Sequence, residues 1–459
     1  MAVSSSVTGE SILNLERSIF LTAYDPSDLP GGSVDPMGFE RGYLFLADKI
    51  LPGLTNAGSR PRYFSVLCAG SHLAQVDAAD SPQSQYRKRL DCVLRLERFW
   101  ALANVLASAS DGNDENTLSG LRGVQYARAR AELLAEKGQN VTDGDFKMLA
   151  RQVPYGAIGI YGSVADGMRL LDRKTLILTP DLGERLAEAF IQETTLPKVL
   201  PKAVCEDRPV SLTTLTAWGE RAHVNRLPNP GSGEASCLRD ALHRNSIRSR
   251  MAEVLKKHRS EDGEKELNRL RRIARALAGD AQNADFCEAI TAILVYEDCY
   301  RLTQLGLERL LWLCRVLPAA SIIADDLKND SVMKLISGQL PGAVARFRRA
   351  LESGKTDNFC RDLCQLDDTR QFLEQGAATA DDVWLLAQTI RNRHVDVQHG
   401  KFDRGRRKMP WLELSAGRIS LTTTRVGGLD FEATRPDRIT PHPYRLDSAD
   451  ALIAAAGEL

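Results

Sequence analysis

Apolar residues recur at helical spacing through most of the first 400 residues, and this periodicity constrains the fold more than any other sequence feature. Residues 84–109 show it best, with apolar side chains three or four positions apart on one helix face. They are Leu90, Val93, Leu94, Leu96, Phe99, Trp100, Leu102 and Leu106. Residues 284–317 are strongly apolar and end at Pro318, which predicts two helices or one kinked helix. The sequence therefore predicts a mainly α protein.

The pattern changes after residue 400. Residues 411–414 and 419–421 show apolar alternation on either side of the turn sequence Ser415-Ala416-Gly417. Alternation with period two is typical of β-strands, and a short glycine-containing turn joins two strands into a hairpin. We therefore expect one small C-terminal β-hairpin.

The charge balance limits the classes of partner that the protein can bind. Lys+Arg and Asp+Glu are both 60, so the formal net charge is zero and affinity for nucleic acid requires local basic patches. The nine cysteines are scattered, as is typical of reduced thiols. No apolar run approaches the roughly 18 residues of a membrane span, and the N-terminal residues lack the pattern of a secretory signal. These features predict a cytoplasmic protein without a membrane partner.

Residues 143–190 carry an ordered series of helix and strand signals. Asp143 is placed to cap a helix over 144–153, and Pro154 separates it from a second helix over 155–171. The β-branched stretch 175–179 predicts a short strand before the helix that begins near Pro180.

The run LLDRKTLILTPDLGERLAEAF, which contains Leu178, Thr179, Pro180 and Gly183, resembles the end of many bacterial winged-helix domains. The resemblance implies that helix 155–171 occupies the position of a recognition helix, as in helix-turn-helix docking. Two features favour other roles. The helix has few residues that read bases, and its four glycines indicate close packing; winged helices also serve as protein-interaction modules.

Basic residues concentrate in 238–276, which holds twelve basic and six acidic residues. Basic helix faces there suit a phosphate backbone, although a solvated helical surface is the usual meaning of such charge. A second basic cluster precedes Trp411, which suits phosphate contact and base stacking; a flexible loop beside a core tryptophan is the alternative interpretation. The candidate nucleic-acid contacts are Arg169, Arg173, Lys174, Arg244, Arg248, Arg250, Lys256, Lys257, Arg271, Arg272, Arg406 and Arg407.

The segment RNRHVDVQHG (391–400) is similar to the motif of HEPN-type ribonucleases, which are helical and metal-independent. The resemblance implies that Arg393 and His399 act on a 2′-hydroxyl and the scissile phosphate. Six residues turn through about 240° of an ideal helix, however, so the two side chains do not stack on one face. A solvated helix end is the alternative interpretation.

Other chemical signatures are weak, and we predict neither a metal nor a cofactor. The sequence ESGKT (352–356) lacks the first glycine of a phosphate-binding loop and lies between predicted helices. Cys360 and Cys364 are one helical turn apart, without a second pair at zinc spacing.

These patterns divide the chain into five predicted regions. They are an N-terminal helical region (1–120), a winged-helix-like module (121–197), a basic helical connector (198–280), a helical domain (281–400), and a β-hairpin with a C-terminal tail (401–459). The leading functional prediction is a non-enzymatic, nucleic-acid-binding subunit of a bacterial multi-protein system for antiviral defence or DNA processing. Duplex DNA is favoured over RNA, and protein partners are expected. The alternatives are a ribonuclease using Arg393 and His399, and a protein-interaction scaffold.

Overall fold

The computed structural model describes residues 35–110, 118–353, 366–403, 406–422 and 434–459. Within these ranges the chain is mainly helical, which confirms the predicted fold class. The helices are α1 (Glu40–Ile50), α2 (Arg62–His72), α3 (Pro82–Ser110), α4 (Val124–Glu136), α5 (Gln152–Tyr155), α6 (Ala157–Gly167), α7 (Gly183–Glu193), α8 (Leu200–Glu206), α9 (Leu212–Arg221), α10 (Gly233–His243), α11 (Ser246–Lys257), α12 (Glu266–Leu277), α13 (Ala284–Val316), α14 (Ala324–Lys328), α15 (Ser331–Ser353), α16 (Asp367–Ala378), α17 (Val383–His399) and α18 (Leu446–Ala455). No described helix combines the length and apolar character that crossing a bilayer requires.

The described strands are short. They are β1 (Val141–Thr142), β2 (Val210–Ser211), β3 (Ser321–Ile322), β4 (Phe402–Asp403), β5 (Arg406–Arg407), β6 (Leu412–Ser415) and β7 (Arg418–Leu421). β1 pairs with β2, β4 pairs with β5, and β7 lies between β3 and β6. The predicted C-terminal hairpin is confirmed as β6–β7, in which Ala416 and Gly417 both have positive φ, as a tight hairpin turn requires.

The chain forms two compact units, each built from two stretches of sequence. The N-terminal unit consists of the described residues of Ala47–Arg269 and Pro443–Leu459, and the C-terminal unit comprises residues 35–46 together with the described residues of Leu270–His442. The division between them falls within α1 and α12. The finer division into five regions stays a prediction.

The long helix α3 runs through the core of the N-terminal unit, where α2, α4, α8 and α9 pack against it. Its Trp100 is fully buried and donates its indole N–H to the Ala222 carbonyl oxygen. A Cβ atom at Gly219 on α9 would lie 2.0 Å from the Ala103 carbonyl oxygen on α3. Only glycine therefore allows these two helices to approach so closely.

The apolar segment of the C-terminal unit is one helix, α13, of 33 residues. This decides between the two predicted alternatives, one helix or two. It packs mainly against α15, which continues through Pro341 as a single helix. Buried side chains on both sides of the proline, including Leu340 and Ala343, keep α15 in the core.

The expected helix over 144–153 is wrong: residues 144–151 form turns, and α5 begins only at Gln152. Tertiary contacts explain the difference. Arg98 on α3 donates a hydrogen bond of 2.9 Å to the Gly144 carbonyl oxygen, and Phe99 lies directly against Gly144. The expected strand over 175–179 is reduced to one antiparallel bridge between Leu171 and Leu178.

Candidate nucleic-acid interface

A tight loop follows α6 in the N-terminal unit, and we call residues Arg169–Ile177 the basic loop. The Asp172 backbone N–H donates to the Ile177 carbonyl oxygen over 2.8 Å. The Asp172 side chain accepts hydrogen bonds from the backbone N–H groups of Thr175 (3.0 Å) and Lys174 (2.7 Å), and these bonds lower the pKa of its carboxyl group. The turn is therefore closed by its own backbone and by an aspartate, as is typical of Asx-turns.

Three cations project from the basic loop. Arg169, Arg173 and Lys174 are exposed, and none of the three forms an ion pair within 4.0 Å of a carboxylate among the residues that the structure describes. Lys174 acts on the Asp172 carboxyl group only through a longer-range charge interaction. A Cβ atom at Gly162 would lie 3.5 Å from Cγ of Arg173, so the stem of this arginine lies over α6. The structure thus brings these three predicted contacts together beside one helix.

A buried carboxylate positions the start of α6. Glu97 on α3 accepts a hydrogen bond of 2.7 Å from the backbone N–H of Ala157, the first residue of α6, and one of 2.9 Å from Nε2 of Gln152. Burial raises the pKa of Glu97 to about 7, and these hydrogen bonds offset part of the shift. The helix start is thereby held on a side chain from a different part of the chain.

The motif that resembles winged-helix domains has a clear local role. The Thr179 hydroxyl accepts a hydrogen bond of 3.1 Å from the Gly183 backbone N–H, and it donates one of 2.7 Å to the Arg169 carbonyl oxygen. A Cβ atom at Gly183 would lie 1.9 Å from the Leu170 carbonyl oxygen. Threonine and glycine at this spacing therefore join the basic loop to the start of α7.

The structure corrects one predicted contact in the basic stretch 238–276. The side chain of Arg248 is 1% exposed, and its guanidinium donates to the carbonyl oxygens of Leu242, Ala241 and Pro52. Burial lowers its pKa to about 10. Arg248 therefore stabilises the core and is not available to a phosphate.

Other basic side chains of the same stretch already have anionic partners. Arg244 lies 2.5 Å from the Asp181 carboxylate, and Lys256 bridges Glu253 (2.5 Å) and Glu458 (3.1 Å). Arg250 is half-buried, whereas Lys257 is exposed. Arg244 and Lys256 are therefore already in ion pairs with carboxylates.

The remaining predicted contacts belong to the C-terminal unit. Arg271 and Arg272 are half-buried on α12. On β5, Arg407 is exposed and pairs with Phe402, and the Arg406 backbone pairs with Asp403. Trp411, expected beside this cluster as a stacking side chain, is only half-exposed, and its ring centroid lies 4.8 Å from that of His394.

The two residues of the predicted ribonuclease motif have different environments on α17. Arg393 donates to the Met37 carbonyl oxygen over 2.9 Å, and its guanidinium lies over the Phe372 ring. It also lines a polar cleft of about 210 Å³ between α16 and α17. His399 is exposed at the last position of α17.

Between them, His394 is fully buried and has a structural role. Its Nδ1 donates to the Pro36 carbonyl oxygen over 3.1 Å, which leaves Nε2 to accept the Trp411 backbone N–H over 2.9 Å. Burial lowers the pKa of His394 to about 4. The neutral ring makes both hydrogen bonds. Protonation would place a hydrogen on Nε2, facing the Trp411 N–H, and would remove the acceptor for that group.

One group of possible metal ligands occurs among the described residues. His243, Glu253 and Glu458 place ligand atoms within 4.8 Å of one another. The Lys256 ammonium lies between the two carboxylates and supplies the positive charge there. We therefore assign no metal to this cluster, which sequence spacing did not reveal because Glu458 is 215 residues from His243.

Sequence reasoning missed Glu97 because a glutamate within a helix carries no signal for the distant backbone that it binds. Thr179 and Gly183 did carry a signal, because they belong to the run that resembles winged-helix domains. No protein-family model, no curated protein and no solved structure matches this chain.

Proposed function

We propose that the protein binds nucleic acid, with duplex DNA as the favoured ligand, through the basic loop and the adjoining surface of α6. The observation that carries the proposal is the availability of three neighbouring cations. Arg169, Arg173 and Lys174 are exposed on one turn and form no ion pair in the described ranges, whereas Arg244 and Lys256 are in ion pairs. Exposed guanidinium and ammonium groups are the side chains that phosphates bind.

The chemistry of α6 favours binding with little sequence preference. Its exposed residues include Ser163 and Asp166 but no arginine, asparagine or glutamine, which are the usual donors to base edges. The proposed contact is therefore to the phosphate backbone. A subunit of this kind would hold DNA for a partner in a larger bacterial assembly, such as an antiviral defence or DNA-processing system.

The test is fluorescence anisotropy with a labelled duplex of about three helical turns, titrated at several salt concentrations. In the triple variant Arg169→Ala, Arg173→Ala, Lys174→Ala we expect affinity to fall about tenfold or more. The slope of log affinity against log salt should become shallower by up to about 0.9 for each phosphate that the variant no longer neutralises.

A matched triple variant removes the same charge from elsewhere on the N-terminal unit. Lys137, Lys198 and Lys202 lie outside the basic loop, and changing all three to alanine should alter affinity less than about twofold if binding is local to that loop. Equal losses of affinity in both variants would mean that overall charge, and not the basic loop, accounts for the binding. Absence of binding by the unmodified protein at low salt would favour the scaffold alternative.

A second candidate function is metal-independent RNA cleavage with Arg393 and His399. The observation that favours it is the polar cleft, which Arg393 lines together with Asn392 and Asp396. Labelled RNA incubated in chelator should be cleaved, and His399→Ala should abolish cleavage whereas the exposed His72→Ala should not. Intact RNA with the unmodified protein would remove this candidate.

A further inference from the structure

Two cysteines of the N-terminal unit meet although they are far apart in sequence. Cys92 on α3 and Cys205 near the end of α8 are 113 residues apart, and their Sγ atoms lie 3.7 Å from each other. Both are free thiols, and this distance is within hydrogen-bonding range for sulfur. The pair joins the central helix of the unit to a helix of seven residues.

We propose that Cys92 and Cys205 form a reversible disulfide bond when the protein meets a peroxide or a small-molecule disulfide. A disulfide has a sulfur–sulfur distance of about 2.05 Å, so the two sulfurs must approach by roughly 1.7 Å. Rotation of both side chains and a small shift of α8 supply a movement of this size. The site is independent of the proposed nucleic-acid function.

The surroundings assign a different role to each thiol. Cys205 is partly exposed and donates its S–H to the Leu73 carbonyl oxygen over 3.1 Å, whereas Cys92 is buried. Burial, with a further contribution from the Cys205 thiol, raises the pKa of Cys92 to about 12. Cys205 is therefore the thiol that an oxidant reaches first, and Cys92 is the resolving thiol.

An arginine lies beside the pair. Arg95, one turn after Cys92 on α3, donates from Nη1 to the carbonyl oxygens of Val204 (3.0 Å) and Cys205 (3.2 Å). Its positive charge offsets part of the pKa rise that burial causes at Cys92. The same two hydrogen bonds hold the end of α8 against α3, so the two sulfur atoms stay next to each other.

The reaction with hydrogen peroxide balances as a two-electron oxidation. The Cys205 thiolate attacks one peroxide oxygen, the O–O bond breaks, and the departing hydroxide takes a proton to give water and a sulfenic acid. The Cys92 thiol then attacks the Cys205 sulfur while its proton passes to the departing hydroxide, so the S–O bond breaks and a second water leaves. Two thiols are oxidised and the peroxide is reduced, and a small thiol reverses the bond by exchange.

The test treats the full chain with hydrogen peroxide, blocks the remaining thiols with an alkylating agent and maps peptides by mass spectrometry. We expect a linked peptide pair that contains Cys92 and Cys205, lacks two hydrogen atoms and disappears on reduction. Cys92→Ser and Cys205→Ser should each abolish the link. Cys287→Ser, which changes a partly exposed thiol in the C-terminal unit, should leave it unchanged.

The variant Cys92→Ser gives a second readout that does not depend on the disulfide. In this variant oxidation should stop at the Cys205 sulfenic acid, which a dimedone probe labels, and labelling should exceed that of the unmodified protein. Unchanged thermal unfolding of the reduced variant shows that it is folded. Cys205 sulfenic acid that accumulates equally with and without Cys92, or Cys205 linked to another cysteine, would overturn the proposal.

Discussion

The two units each use a buried ionisable side chain to fix backbone that follows elsewhere in the chain. In the N-terminal unit Glu97 binds the first backbone N–H of α6, ahead of the basic loop. In the C-terminal unit His394 binds the backbone N–H of Trp411, ahead of the β6–β7 hairpin. Both side chains fix distant backbone by hydrogen bonds. Their ionised forms carry opposite charge, because one is an acid and the other a base.

Burial disfavours the charged form of both groups, so it raises the pKa of Glu97 and lowers that of His394. The contribution of Glu97 is fully present below the ordinary glutamate pKa and is lost as pH rises through about 7. The contribution of His394 is fully present above the ordinary histidine pKa and is lost as pH falls toward about 4. The contributions of these two groups to stability therefore change with pH in opposite directions.

The largest expected effect comes from removing the histidine. His394→Ala leaves the Trp411 N–H and the Pro36 carbonyl oxygen without their partner and creates a cavity, so we expect a loss of about 3 kcal/mol in unfolding free energy. Urea denaturation at pH 7 measures it. His399→Ala, at an exposed position on the same helix, should change stability by less than about 0.5 kcal/mol. Similar values for the two variants would contradict the structural role of His394.

The next effect tests the pH dependence of the N-terminal unit. Glu97→Gln removes the titrating group, so the variant should lose less stability than the unmodified protein as pH rises from 5 to 8. The two slopes should differ by at most about 1.4 kcal/mol per pH unit, the contribution of one proton. Thermal unfolding at a series of pH values measures the difference. Parallel curves would show that Glu97 does not titrate in this range.

The smallest effect compares one hydroxyl group in each unit. Thr179→Val removes bonds to both Gly183 and Arg169, and we expect a loss of about 1–2 kcal/mol. Thr422→Val removes the bond that the Thr422 hydroxyl donates to the Pro410 carbonyl oxygen, and about 1 kcal/mol or less is expected. Only Thr179→Val should weaken DNA binding, because only Thr179 contacts the basic loop. A Thr422→Val variant with weaker binding would place the interface elsewhere.

Local patterns in the sequence predicted the elements whose geometry is set by neighbouring residues. The apolar spacing of 84–109 predicted α3, and the alternation around Ser415-Ala416-Gly417 predicted the β6–β7 hairpin. Both periodicities follow from local backbone geometry, so they can be recognised without knowledge of the tertiary packing.

By itself, then, the sequence determined the helical class, the hairpin and the run of three cations, since each depends on residues close together in the chain. Only the tertiary structure decided which charges are available. Arg248 and Arg250 look equivalent in sequence, yet Arg248 is buried against the Pro52 carbonyl oxygen, 196 residues away. Nothing in the sequence indicated that Cys92 and Cys205 lie next to each other. Burial and long-range pairing depend on how helices pack against each other, and the spacing of residues along one helix does not encode that arrangement.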